Sequence, residues 1–261
     1  MSGTKTPGRG VRDIAPDRLA CLNAGTVEAA TLTECLAVDF AALLRNVLPE
    51  IGADALAEMD RAAATGISRR MALAARLIRD ALGDAAADRL QRHPSDTARG
   101  WACFLIGMAS DMSLADRLVA MRPYADDRHF GVREWSWMAV RPHLAADLDR
   151  AIALLSAWTA DPSERIRRFA SEAIRPRGVW CAHIGVLRNE PHLGLAVLEP
   201  LRADPSLYVQ DSVGNWLNDA AKDRPEWVQA LCARWTLESP VPATARICKR
   251  ALRSIKPAPH S

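Results

Sequence analysis

Apolar residues recur along this chain at helical spacing, and the helical pattern itself recurs. One sixteen-residue window reads HPSDTARGWACFLIGM from His93, DRHFGVREWSWMAVRP from Asp127, DPSERIRRFASEAIRP from Asp161, DPSLYVQDSVGNWLND from Asp204 and PATARICKRALRSIKP from Pro242. The starts lie 34, 34, 43 and 38 residues apart, the spacing of helical-hairpin repeats. An all-α solenoid with a concave working surface is the fold this predicts. Aligning the windows assigns the faces of the repeated helix. The sixth position (Ala98, Val132, Ile166, Val209, Ile247), the tenth (Ala102, Ser136, Ala170, Val213, Ala251) and the fourteenth (Ile106, Val140, Ile174, Leu217, Ile255) fall on one side of a 3.6-residue wheel and should face the core. Asp161 and Asp204 can cap the helix that follows, with Pro162 and Pro205 in its first turn.

Three parts follow from this pattern. Residues 1–15 are polar and contain Gly and Pro, a disordered leader. Residues 16–92 carry helical runs such as LTECLAVDFAALLRNVL and ISRRMALAARLIRDAL and form an N-terminal helical cap. Residues 93–261 form the repeat region, one continuous solenoid.

Composition narrows the class. The chain has 261 residues, 49% of them apolar, no run near the ~20 apolar residues of a membrane span and no apolar run in MSGTKTPGRGVRD. A cytoplasmic protein with no membrane partner is expected. Cys21, Cys35, Cys103, Cys181, Cys232 and Cys248 contain no CxxC and sit mostly at apolar positions, so buried free thiols are expected, with neither a metal site nor a disulfide framework. His129, His143, His183 and His192 show no ligand spacing.

Charge becomes informative through position. The net formal charge is only +3, but lysines number four (Lys5, Lys222, Lys249, Lys256) within 34 Lys plus Arg. Arginine suits bidentate phosphate contacts; a GC-rich genome would give the same bias. The fifteenth window position, half a turn from the core stripe, reads Gly107, Arg141, Arg175, Asn218 and Lys256, with Arg168 and Lys249 at the eighth and Arg177 just past the third window. Such a line of cations tracks phosphates along a strand, or is a solvated face. Three acids advance by one turn per repeat: Glu134 is eighth in its window, Glu172 twelfth in the next, Asp219 sixteenth in the one after. On stacked parallel helices they form a diagonal around one ligand, or they are solubilising residues.

The words around these acids are VREWSWMAVRP, RRFASEAIRPRGVW and VGNWLNDAAKDRP. Here the chain resembles the HEAT-like DNA alkylation repair glycosylases, the AlkC/AlkD superfamily, and looks closest to the AlkC branch. The resemblance runs from about residue 127 to residue 224 and continues more weakly on both sides. It implies a right-handed, C-shaped solenoid of HEAT-like repeats that holds duplex DNA containing alkylated bases in its concave face. It also implies a monomeric, monofunctional glycosylase of base excision repair, which removes cationic N3-alkylated bases such as N3-methyladenine without base flipping and without a cofactor. By motif, Glu134, Glu172 and Asp219 would be the catalytic-site acids and Trp180 the aromatic residue near the damaged nucleotide. By position, Arg141, Arg168, Arg175, Arg177, Lys222, Lys249 and Lys256 would contact DNA. Two departures from the branch stand out: Ala173 and Ile174 replace a small-plus-hydroxyl pair, and no β-sandwich is expected after the repeats. The other reading is a non-catalytic HEAT-repeat module that binds DNA structures or a protein partner through the same groove.

Overall fold

The computed structural model describes residues 10–255. Among the described residues there are sixteen α-helices, four short 3-10 turns and no strand. They pack as two compact units: residues up to Asp111 with Asp127–Ser136, and Met112–Asp126 with residues from Trp137 onward. In the first lie α1 (Pro16–Asn23), α2 (Leu32–Ala37), α3 (Phe40–Val47), α4 (Ala53–Arg61), α5 (Ile67–Leu82), α6 (Ala86–Leu90) and α7 (Asp96–Met108). The second holds α8 (Leu114–Ala125), α10 (Leu148–Trp158), α11 (Glu164–Glu172), α12 (Gly185–Asn189), α13 (Leu195–Leu198), α14 (Leu207–Ala220), α15 (Pro225–Glu238) and α16 (Pro242–Ala251). Helix α9 (Phe130–Ala146) contributes its first residues to one unit and the rest to the other. The expected leader lies largely outside the described residues, and so do Lys256 and the tail after it.

The core stripe lies where the window alignment puts it. Every sixth and tenth residue is buried, and at the fourteenth position only Ile255 is partly exposed. In the second unit α14 packs against α11 on one side and α16 on the other. Trp216 of α14 is buried and donates its indole N–H to Ile174 O at 3.0 Å, so its large apolar area is covered without leaving a polar atom unpaired. In the first unit Gly100 of α7 leaves room for Met71 and Trp135; a Cβ there would lie 2.5 Å from Met71 Cε and 2.6 Å from Trp135 Cδ1.

The helix starts differ from expectation by one step. The capping oxygens are those of Ser163 and Ser206, which accept from Arg165 N and Tyr208 N. Asp161 and Asp204 act two residues earlier, accepting from Ser163 N and Ser206 N at 2.9 Å, and Pro162 and Pro205 precede the helices. A serine two residues after the aspartate is near enough to reach the first free amides, which leaves the aspartate for another bond.

That bond is the repeat's connector. In the first three of the five windows the seventh position is an arginine, and each donates to the carbonyls of its own window's first two residues: Arg99 to His93 O and Pro94 O, Arg133 to Asp127 O and Arg128 O, Arg167 to Asp161 O and Pro162 O. Arg99 then forks onto Asp127, at 2.9 and 3.2 Å, and Arg167 onto Asp204, at 2.7 and 3.1 Å, the first residue of the next window in each case. One side chain thus closes its own helix entrance and fixes the next.

Candidate active site

Two of the three acids meet within the second unit. Glu172 is the last residue of α11 and Asp219 the last but one of α14, and Arg175 spans them. Its Nη1 donates to Glu172 Oε1 at 2.8 Å, while its Nε and Nη2 lie 2.9 and 2.8 Å from Asp219 Oδ2. Glu172 Oε2 accepts from Ser212 Oγ at 2.7 Å and lies 3.5 Å from Arg168 Nη2; Asp219 Oδ1 accepts from Lys222 Nζ at 3.3 Å. Neither acid lies on a wet face: both are 4% exposed. Burial alone would raise the Glu172 pKa, but the charges of Arg168 and Arg175 and the hydrogen bonds from Ser212 and Arg175 outweigh it, so the carboxyl is held below its ordinary value and stays ionised at neutral pH.

Beside this cluster the chain leaves α11 and makes a loop, residues 173–184, before α12. At its tip Val179 and Trp180 are 54% and 51% exposed. Trp180 is the one non-glycine among the described residues with positive φ, 59°. A bulky side chain in that region costs about 1–3 kcal/mol and persists only where its surroundings impose it, which makes it a functional candidate.

The cations divide by environment. Arg141, Arg168 and Arg175 do not form an open stripe. Arg141 is 3% exposed, and its guanidinium donates to Ala173 O, Arg175 O and Ala182 O at 2.9, 2.6 and 3.1 Å. Arg168 is buried, 4.9 Å from the Tyr208 ring, with its charge toward Glu172. At the fifteenth position Arg141 is closed over by backbone from the next repeat, and Asn218 likewise donates to Ala251 O, whereas Arg175 is half-buried against the two acids. Lys249 and Lys222 reach solvent, and Arg177 does so partly. Arg177 and Arg188 both fork onto Asp223, whose carboxyl is lowered to about 2, first by the Arg188 hydrogen bond and then, against some desolvation, by Arg177. Glu134, on α9 within the first unit, is half-buried.

Sequence reasoning missed Ser212 and Arg188, neither of which holds a marked window position, and a buried group in the first unit. There Cys35, Asp96 and His129 bring donor atoms within 4.8 Å of one another. Each is held by the protein: Ala29 N and Cys35 Sγ donate to Asp96 at 2.9 and 3.6 Å, His129 Nε2–H donates to Ala29 O at 2.6 Å, and Gly131 N–H points at Nδ1 at 3.1 Å. The Nδ1 lone pair is therefore engaged, and the group ties the segment before α2 to α7. Of the other cysteines, Cys103, Cys232 and Cys248 are buried, Cys181 is half-buried and Cys21 exposed. No helix among the described residues is long and apolar enough to cross a membrane.

Residues 68–234 match the family described as DNA alkylation repair enzyme. The chain is 41% identical over 120 residues to the uncharacterized protein YhaZ of Bacillus subtilis (strain 168), a stretch that is 46% of this chain and 33% of YhaZ. Among solved structures it is similar to the Pseudomonas fluorescens alkylpurine DNA glycosylase AlkC bound to DNA containing an abasic site analog, with 29% identity, a TM-score of 0.62, and coverage of 83% of this chain and 61% of that one. It is also similar to AlkD2 from Streptococcus mutans, with a TM-score of 0.55 over 84% of this chain and 98% of that one; at 22% identity this likeness speaks for the fold alone. The chain thus spans a third of YhaZ and about six-tenths of AlkC. The fold is an all-α solenoid of HEAT-like helical hairpins. With the family matched from within α5 to within α15, the chain belongs to the DNA alkylation repair enzyme family.

Proposed function

We propose that this protein is a monofunctional DNA glycosylase that hydrolyses the N-glycosidic bond of cationic N3-alkylated bases, N3-methyladenine above all, in duplex DNA and without base flipping. The observation that carries the reading is the pair Glu172 and Asp219, buried around one guanidinium beside a loop with an exposed tryptophan in a strained conformation. An N3-alkylated purine already bears positive charge, so it leaves without a strong general acid while the sugar develops oxocarbenium character. Fixed carboxylates stabilise that sugar and orient a water. One carboxylate at ~4 Å with an effective dielectric of ~20 is worth up to ~4 kcal/mol, about three powers of ten in rate. Arg175 and Arg168 keep Glu172 ionised when phosphates approach. Glu134 takes its part from its motif, REW, and Trp180 offers an apolar plate to the deoxyribose or a base edge.

Backbone contacts fall to the cations that reach solvent, Lys222, Lys249 and Arg177, joined by Arg188, which shares Asp223 with Arg177. Arg177 and Arg188 share one carboxylate, which leaves a surplus positive charge and donors already oriented for phosphate.

The test is release of N3-methyladenine from methylated duplex by the wild type, Glu172→Gln and Asp219→Asn. We expect release far above the spontaneous rate for the wild type and loss of about a hundredfold or more in each variant, with duplex binding retained. Binding without release by the wild type would leave the non-catalytic DNA-binding module in its place. Binding that does not depend on salt would remove the DNA reading altogether.

A further inference from the structure

The loop that carries Trp180 is fastened at both ends by one side chain. Arg141 reaches Ala173 O and Arg175 O on the way out of α11 and Ala182 O on the way back toward α12. The first two carbonyls follow the last turn of α11, where carbonyls lack partners within the helix and need donors from elsewhere. A guanidinium supplies several donors in a rigid plane, which a lysine cannot do. The neck is closed by Ile184 N–H to Pro176 O at 3.1 Å. Between these ties the chain is pressed tight: a Cβ on Gly178 would lie 2.1 Å from Cys181 Sγ and 3.3 Å from Arg141 Cζ and Nε. Next to this knot stand Val179 and Trp180, both exposed, the second in the left-handed region.

Resting on the glycosylase reading, we propose that Arg141 is a positioning residue: it holds residues 173–182 at both ends, so that the Val179–Trp180 tip is presented rigidly to the damaged nucleotide, and it makes no contact with DNA itself. The burial of Arg141 excludes a phosphate contact without unfolding the knot. The strained backbone of Trp180 is what a tether must impose, because a free loop would relax to negative φ.

A double-mutant cycle on the full chain tests this, with Arg141→Met, Trp180→Ala and the two combined, and Arg141→Lys as partial rescue. Single-turnover base release at saturating enzyme is read for each. Each single change should slow release between about tenfold and about a hundredfold, and the double should be no slower than the slower single within about threefold. Multiplied losses would overturn the proposal. The salt slope of duplex binding should be the same for Arg141→Met as for wild type; a slope reduced by about one phosphate makes Arg141 a backbone contact and overturns it too.

The tether is also read without activity. Amide exchange over residues 176–184 should quicken at least about tenfold in Arg141→Met, while α14 and α16 keep their protection. Quickening across those helices would make Arg141 a general stabiliser and end the proposal. Should Arg141→Met fail to fold, Gly178→Ala loosens the same knot from the loop side and replaces it in the cycle and in the exchange measurement. If the wild type releases no base, the glycosylase reading falls, and the exchange result alone decides whether the tether exists.

Discussion

Replacing Arg175 by methionine tests the electrostatics of the carboxylate pair most directly. The guanidinium lies 2.8 Å from Glu172 Oε1 and 2.8 Å from Asp219 Oδ2. At an effective dielectric of ~20 and ~2.8 Å each contact is worth about 6 kcal/mol gross, most of it offset by desolvation of the three groups. Removing one partner of a buried pair while leaving the other typically costs about 3–5 kcal/mol. Here Arg168 at 3.5 Å and Lys222 at 3.3 Å remain, so the lower end applies, about 3 kcal/mol, a fall in Tm of roughly 6–12 °C. The sign of the pH dependence follows. In the wild type the Glu172 pKa lies below its ordinary 4.5, so its ionised form contributes stability above about pH 4.5 and loses it as pH falls below. Without Arg175, burial is opposed only by Arg168 and Ser212, so the Glu172 pKa moves up from its wild-type position and the penalty present at neutral pH fades as protonation sets in. Urea unfolding at pH 7.5 and pH 5.0 should therefore show a gap between wild type and Arg175→Met that narrows on acidification, with Arg175→Lys between the two because a single ammonium cannot fork to both acids. A gap under about 1 kcal/mol at pH 7.5, or one equal at both pH values, would refute this account.

Three further outcomes are expected. Arg167→Ala should cost about 3 kcal/mol in urea unfolding, since it strips both the fork on Asp204 and the bonds to Asp161 O and Pro162 O; a loss under about 1 kcal/mol would mean that the connector is decorative. Gly100→Ala should destabilise by about 1–3 kcal/mol despite a better helix former, because its Cβ collides with Met71 and Trp135; a raised Tm would contradict the packing. Asp223 titrates near 2 in the folded chain against its ordinary 3.8, so it contributes stability that is present above about pH 4 and lost as pH falls toward 2. Wild type and Asp223→Asn, compared at pH 7, 4 and 3, should converge as pH drops; a constant difference would remove Asp223 as a titrating stabiliser.

The repeat and its buried stripe were legible because they depend on periodicity alone: Val132, Ile166 and Val209 occupy one place in three windows and are all buried. Arg141 and Asn218, at the fifteenth position, are buried for a matching reason. A wheel drawn for one helix shows which side faces its own hairpin, but not that Arg141 and Asn218 are covered by backbone from the following repeat. Glu172 and Asp219 were singled out by their four-residue step and their motifs, yet nothing in the spacing says that they share Arg175 or that Ser212 completes the shell. The connectors Arg99 and Arg167 share the seventh position with Arg133, but periodicity marks only a recurring cation there and not the aspartate of the next window that Arg99 and Arg167 bind.

Those connectors carry a consequence for how such a chain can change. Arg99 to Asp127 and Arg167 to Asp204 are the same joint, but the second spans a repeat of 43 residues where the first spans one of 34. Because the joint fixes where the next helix begins and ignores what lies between, added chain can loop out without shifting the phase of the helices behind it. The long repeat is the one that holds the Trp180 loop. New chemistry can thus be grafted onto this scaffold as an insertion, and the scaffold keeps count regardless of its length.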